Sequence, residues 1–200
     1  LFFICQVFFT IFFFICQVLF LLYYNNMKNQ IKKILEEIKI CFENFNIEYF
    51  ITLEKILKES KKIFLVGNGR SGLVGKMFAI RLKQIGYETY VAGETIVAPA
   101  GKDDLVIFIS YSGERKGQID IGKRVKRKGS KILVISCPKK SSLSKISDFK
   151  IDIPNISSEQ FGNSIFEQCV FIFFEGFILY LKGKYKISEE KFQKGHTNLE

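Results

Sequence analysis

The stretch KIFLVGNGRSG at residues 62–72 constrains the fold more than any other part of the chain. An apolar run, Ile63 to Val66, leads straight into glycines spaced G-x-G-x-x-G at Gly67, Gly69 and Gly72, and a helical pattern then continues over 72–85. An unbroken apolar run of strand length, ending in a glycine turn that opens a helix, is how a strand buried on both faces enters its crossover. Similar runs recur downstream. YETYVAG at 87–93, DDLVIFIS at 103–110, KILVISC at 131–137 and DFKIDIP at 148–154 read as further strands, and 114–128 reads as a helix. Between 31 and 57 apolar residues fall at helical spacing with a polar break at 43–46, which predicts two helices before the first strand. Residues 163–182 read as a long apolar helix, and Ser188 caps a last short one. Strands alternating with helices imply an α/β fold, a five-stranded parallel sheet flanked by helices on both faces.

Residues 1–24 stand outside this pattern. Apart from two cysteines and the closing Tyr23 and Tyr24, their only polar side chains are Gln6, Thr10 and Gln17, and the stretch is long enough for a membrane span. FFICQV stands at 2–7 and again at 13–18, the chain opens with Leu, and the first Met is Met27. Without a basic leading stretch or a small-residue cleavage site, a secretory signal is disfavoured. The expectation is an apolar N-terminal extension over 1–26 that is not part of the native protein, and a single domain over 27–200. The alternative is a genuine anchor, with Lys28, Lys32 and Lys33 holding its C-terminal side in the cytoplasm. Both readings give a cytoplasmic domain. The five cysteines are odd in number and show no C-x-x-C spacing, which argues against a disulfide framework or a zinc site and for a reducing compartment.

A balance of 30 Lys+Arg against 20 Asp+Glu suits an anionic partner. The lysines are spread over nearly every polar segment, however, and the one dense run, KRVKRKGSK at 123–131, closes a predicted helix, where cations complement the dipole. No aromatic platform interleaves with it, so nucleic acid is not the expected partner.

Ligands of such sheets sit beyond the carboxyl ends of the strands. Two strands here end in loops that suit an anion, since IFLV runs into GNGRSG and VIFIS into YSGERKG. These loops bring Ser71, Ser110 and Ser112 together with backbone N–H groups at two helix N-termini, where orphan amides and the positive dipole end favour phosphate. Gly69, Tyr111, Gly113 and Glu114 belong to the same loops, and Arg70 and Arg115 add charge. A dinucleotide would use the first loop, with Glu94 placed for the ribose. It leaves the second serine loop without a purpose, whereas a smaller phosphorylated ligand uses both.

The pair of loops resembles the sugar isomerase, or SIS, domain, a flavodoxin-like three-layer α/β fold that grips phosphosugars between Gly-x-Gly-x-Ser and Ser-x-Ser-Gly loops. Within that group GNGRSGLVGKMFAIRLKQIGY at 67–87, AGET at 92–95, KDDLVIFISYSGE at 102–114, SIFEQCVFIFFEG at 164–176 and HTNLE at 196–200 look like the 6-phospho-3-hexuloisomerases. The resemblance implies isomerisation of D-arabino-hex-3-ulose 6-phosphate to fructose 6-phosphate, in the ribulose monophosphate route of formaldehyde fixation or pentose supply. Moving a carbonyl from C3 to C2 takes the C2 proton and returns one to C3 through an enediol. That calls for a carboxylate base and for no redox cofactor or metal.

The resemblance implies Glu167 as that base. It gives His196 a proton-relay or hydroxyl contact, in its own or a neighbouring subunit, and sets Glu94 and Thr95 at the rim of the site. Read without the resemblance, Glu167 is an acidic residue favouring the positive end of its helix, and His196 belongs to a tail. Glu175 is the competing carboxylate, expected at a surface or subunit contact. SIS enzymes commonly pair, and the apolar face of 163–181 suggests a homo-dimer or homo-tetramer with shared active sites. The chain departs from the family in having Tyr111 for Gly, Arg115 for Thr and Gly195 for a frequent Arg, and the Arg115 guanidinium is expected to replace a phosphate hydroxyl. A phosphosugar-sensing module without catalysis, or an isomerase of another phosphosugar, is the alternative.

Overall fold

The computed structural model describes residues 2–43, 45–137 and 140–197, with side chains from residue 13 onward. The chain divides between Ile40 and Cys41 into two compact units. The first is made of helix α1 (Phe2–Glu43) as far as Ile40; the helix passes through Met27 without a break, so the first of the two expected helices is the continuation of the apolar stretch. Its large apolar side chains from Phe13 to Tyr24 are exposed, and Lys28 lies over the Tyr24 ring, 4.9 Å from its centroid. Leu1 and the side chains of Cys5, Gln6 and Thr10 lie outside the described residues.

The second unit follows the expected alternation. In chain order it contains α2 (Glu48–Lys58), β1 (Ile63–Gly67), α3 (Arg70–Gln84), β2 (Thr89–Val91), β3 (Leu105–Ile109), α4 (Lys116–Arg127) and β4 (Lys131–Ser136). After these come α5 (Ser142–Ile146), β5 (Phe149–Asp152), a 3-10 turn (Phe161–Asn163), α6 (Ser164–Tyr185) and α7 (Glu189–Lys194). The five strands are all parallel, in the order β2-β1-β3-β4-β5. Ile63 pairs with Thr89 on one side and Leu105 on the other, which fixes the register at the centre of the sheet.

Both faces of the sheet are covered, which is why its strands read as unbroken apolar runs. Phe64, Val66, Val106, Phe108, Ile132 and Val134 point to one face, where Leu143 of α5 and Ile119 and Val125 of α4 close over them. On the other face α3 comes so close that a Cβ on Gly75 would lie 3.3 Å from Ile109 Cδ1. α3 and α6 are joined there by the stacked rings of Phe78 and Phe174, 3.8 Å between centroids, and Phe50 of α2 packs on Phe173 at 5.3 Å. α6 is long and apolar enough to cross a membrane, but half of that stretch is buried in this core. The helix α5 is an addition to the sequence reading. Ser141 caps it, accepting from the Ser144 amide while Ser144 accepts from its own.

The glycine turn after β1 answers to geometry before any ligand. A Cβ on Gly67 would lie 2.7 Å from the Gly72 nitrogen, and one on Gly72 would lie 2.8 Å from the Gly67 oxygen. Gly69, at φ +55°, caps α3 in a conformation that side chains avoid. The spacing of the motif is therefore that of a tight strand-to-helix reversal. The chain leaves β1 toward one edge of the sheet and returns to the other side of it at β3. At such a switch point two adjacent loops diverge and leave a crevice.

Candidate active site

The crevice beyond β1 and β3 is a cavity of about 450 Å³. Gly69, Arg70 and Ser71 come to it from the first turn of α3, and Ser110, Tyr111, Ser112 and Arg115 from the loop between β3 and α4. Gly162, Asn163 and Glu167 close the third side from the 3-10 turn and the start of α6. Both serine loops expected from the sequence therefore meet at one cavity, and the expected carboxylate lines it too.

Glu167 is held from two directions. Ser71 Oγ donates to its Oε1 at 2.8 Å, and Arg70 Nη2 donates to its Oε2 at 3.0 Å. The same guanidinium donates from Nη1 to Ser164 Oγ at 2.9 Å and from Nη2 to the Gly162 carbonyl, so it also fastens the turn that precedes α6. That turn reaches Arg70 because Gly162 and Asn163 both adopt left-handed φ, near +58° and +59°. The carboxylate is thus an ion-paired group with 14 % of its side chain exposed, not one enclosed by apolar neighbours. Ser71 and Arg70, read from the sequence as phosphate ligands, line the cavity and also support Glu167, because α6 brings a carboxylate within their reach.

The second loop lines the same cavity. Ser112 Oγ accepts from the Glu114 amide at 3.2 Å, which tightens the turn, and Arg115 stands at the cap of α4. Tyr111 leans edge-on against Phe166, 5.7 Å between centroids, and donates to Asn155 Oδ1 at 3.2 Å. Cys137, which follows β4, offers no competing base, since burial and then the charge environment of Cys41 and Glu167 push its thiol up to about 12.

Several expected residues stand elsewhere. Glu114 accepts from the Ser142 amide at 2.7 Å, and the hydrogen bonds from Ser142 hold its carboxyl below the usual range; it serves the start of α5. Gly113 backs onto Ser141. Glu94 pairs with Lys76, and Thr95 is exposed beside it; neither lines the cavity. Glu175 pairs with Arg81 at 3.3 Å, between α6 and α3. His196 lies beside Lys83 and Gln84 in a separate cavity of about 510 Å³, with Nδ1 3.0 Å from the Thr197 carbonyl. That is the opposite end of α3 from Ser71, and a helix of 15 residues spans roughly 22 Å. Within one chain His196 is therefore remote from Glu167, and Asn198, Leu199 and Glu200 of the same motif lie outside the described residues. The sequence reading did not include Asn68 and Gln118 among the lining residues. Gln118 left a signal, a polar residue at a position where an amphipathic helix faces the core.

The family model of the SIS domain matches residues 56–173, from the end of α2 through the first half of α6. The chain belongs to the SIS domain family. An uncharacterised protein of Aeropyrum pernix is 33% identical over 166 residues, covering 74% of this chain and 78% of the relative. The 3-hexulose-6-phosphate isomerase of Bacillus subtilis is 31% identical over 179 residues, 85% of this chain and 97% of its own. Among solved structures, a protein of Methanococcus jannaschii whose structure was read as that of a 3-hexulose-6-phosphate isomerase superposes with a TM-score of 0.77 at 30% identity. It covers 86% of this chain and 99% of its own. The cavity of this SIS domain thus lies within the matched segment, from Asn68 to Glu167.

Proposed function

We propose that this SIS domain converts D-arabino-hex-3-ulose 6-phosphate to fructose 6-phosphate. The observation that carries the reading is the single cavity in which a braced carboxylate, Glu167, faces the Ser110–Ser112 loop and Arg115. The names of the Bacillus subtilis and Methanococcus jannaschii proteins support the same substrate. Ser110, Ser112, Arg115 and the amides at the start of α4 receive the phosphate, which places the sugar chain toward α6.

Glu167 then takes the proton from C2. Each of its oxygens already accepts one hydrogen bond and keeps a second lone pair, so the braces from Ser71 and Arg70 orient the group and leave a lone pair to receive the proton. The C2–H pair moves into a C2–C3 double bond as the C3 carbonyl oxygen gains a proton. The carboxylic acid then returns a proton to C3 while O2 loses its own, and the carbonyl stands at C2. The sugar enters and leaves at one oxidation level.

His196, remote from Glu167 in its own chain, acts in this proposal on the site of a neighbouring subunit. A homo-dimer or homo-tetramer is supported by Leu73, Met77 and Ile80, which form an exposed apolar row on α3, and by exposed Ile172 and Leu179 on the adjoining α6. The cytoplasm is the compartment that suits this substrate, and no disulfide links the described cysteines. Its place in the ribulose monophosphate route follows from the substrate.

Isomerisation in deuterated water tests the chemistry. Fructose 6-phosphate formed from the 3-ketose should carry solvent deuterium at C3, read by NMR. Absence of conversion overturns the activity, and complete retention of the original C2 hydrogen at C3 overturns an exchanging enediol.

A further inference from the structure

Gln118 lines the same cavity and has no part in the chemistry above. It sits in the first turn of α4, 2% exposed, and with Gly122 it makes up the buried positions of that helix. Its Nε2 donates to the Ile109 carbonyl at 3.4 Å, while its Oε1 is buried with no hydrogen-bond partner in the protein. The Ile109 carbonyl sets the orientation of the amide, because turning it over would place two acceptors face to face.

A buried carbonyl without a donor is costly, and native proteins satisfy nearly all such groups. The phosphate cannot supply that donor. A phosphomonoester near neutral pH is largely a dianion whose oxygens are acceptors themselves. A sugar hydroxyl is a donor, and it arrives with the phosphate.

We propose that Gln118 is a specificity-determining residue whose Oε1 accepts a hydrogen bond from a hydroxyl on the carbon chain of the phosphosugar. The proposal rests on the phosphosugar reading of the cavity. It divides the work between neighbours: Ser110, Ser112 and Arg115 recognise the phosphate that all such ligands share, and Gln118 recognises the chain that distinguishes them.

Calorimetric titration with fructose 6-phosphate and with inorganic phosphate separates these roles. Gln118→Met keeps the length of the side chain and removes the acceptor. It should weaken fructose 6-phosphate by about tenfold, the usual worth of one such bond, and leave inorganic phosphate within about twofold. An equal loss for both ligands, or no loss for either, overturns the proposal. A second measurement uses the wild-type protein. One deoxy analogue of fructose 6-phosphate should lose a similar factor, and in Gln118→Met that analogue should lose nothing further, the sign of a direct coupling. Deoxy analogues that all bind the wild type as well as the parent also overturn it. Wild-type protein that binds inorganic phosphate but not fructose 6-phosphate is a different failure, that of the phosphosugar reading itself.

Discussion

Glu167 and Ser112 line one cavity, yet their losses should read differently in kinetics. Glu167→Gln keeps the size of the side chain and an acceptor for Ser71 but removes the base. Its kcat should fall by ~10²–10⁴ with substrate affinity largely kept. Ser112→Ala removes a hydroxyl from the loop proposed to receive the phosphate and, in that proposal, touches no reacting carbon. It should raise KM by roughly tenfold while kcat stays within a few-fold, as steady-state kinetics with varied sugar phosphate will show. A fall in kcat with unchanged KM in Ser112→Ala would place that hydroxyl at the reacting carbons. Arg70 illustrates why such assignments exceed what sequence alone supports. Its position beside Ser71 indicated an anion, but its partner was settled by α6, ninety-odd residues away, which delivers Glu167 and Ser164 to the same guanidinium.

At the scale of elements, α2 is tied to α6 by a buried charge. Glu54 of α2 accepts from Lys184 Nζ and Tyr180 Oη of α6, both at 2.7 Å, and from Tyr185, while Lys58 stands at 3.0 Å. Burial by itself would raise the Glu54 carboxyl, but the hydrogen bonds from Lys184, Tyr185, Tyr180 and Lys58 together outweigh it and hold the group far below the usual carboxylate range. A carboxyl lowered in the folded state contributes stability that is complete above its unfolded value and is lost as the pH falls through the folded one. Glu54→Gln should therefore cost ~1–3 kcal/mol at pH 7 by urea denaturation, and the gap to the wild type should shrink below about pH 4. A gap that stays constant down to pH 3 would show that packing, not charge, is lost. Elements differ in how far the sequence revealed them. β1, β3 and β4 are buried on both faces and announce themselves as unbroken apolar runs. α5 has five residues and one buried side chain, Leu143, so only the Ser141–Ser144 cap marked it. The ends of β2 and β3 were correctly placed as loops, but Glu94 and Glu114 turn toward Lys76 and Ser142, choices set by neighbours distant in sequence.

For the molecule as a whole, the distance between His196 and Glu167 in one chain is what would give the proposed oligomer a functional meaning. Sedimentation should show a dimer or larger assembly, and Leu73→Lys, in the exposed apolar row of α3, should shift it toward monomer with a loss of activity. A fully active monomer would remove both the assembly and the role of His196. The parallel sheet and the two serine loops were legible because each follows from local pattern. The proposed assembly is indicated in the sequence only by an apolar face, since a single sequence does not say what a surface meets. The central claim is that this cavity moves a carbonyl by way of Glu167. A coupled assay for fructose 6-phosphate formation from D-arabino-hex-3-ulose 6-phosphate, run side by side on the wild type and Glu167→Gln, tests it most directly. The account predicts steady turnover by the wild type and a rate lower by ~10²–10⁴ in the variant, at nearly unchanged affinity for the sugar phosphate. A variant that turns over at the wild-type rate, or a wild type that binds the sugar phosphate and forms no product, would contradict it.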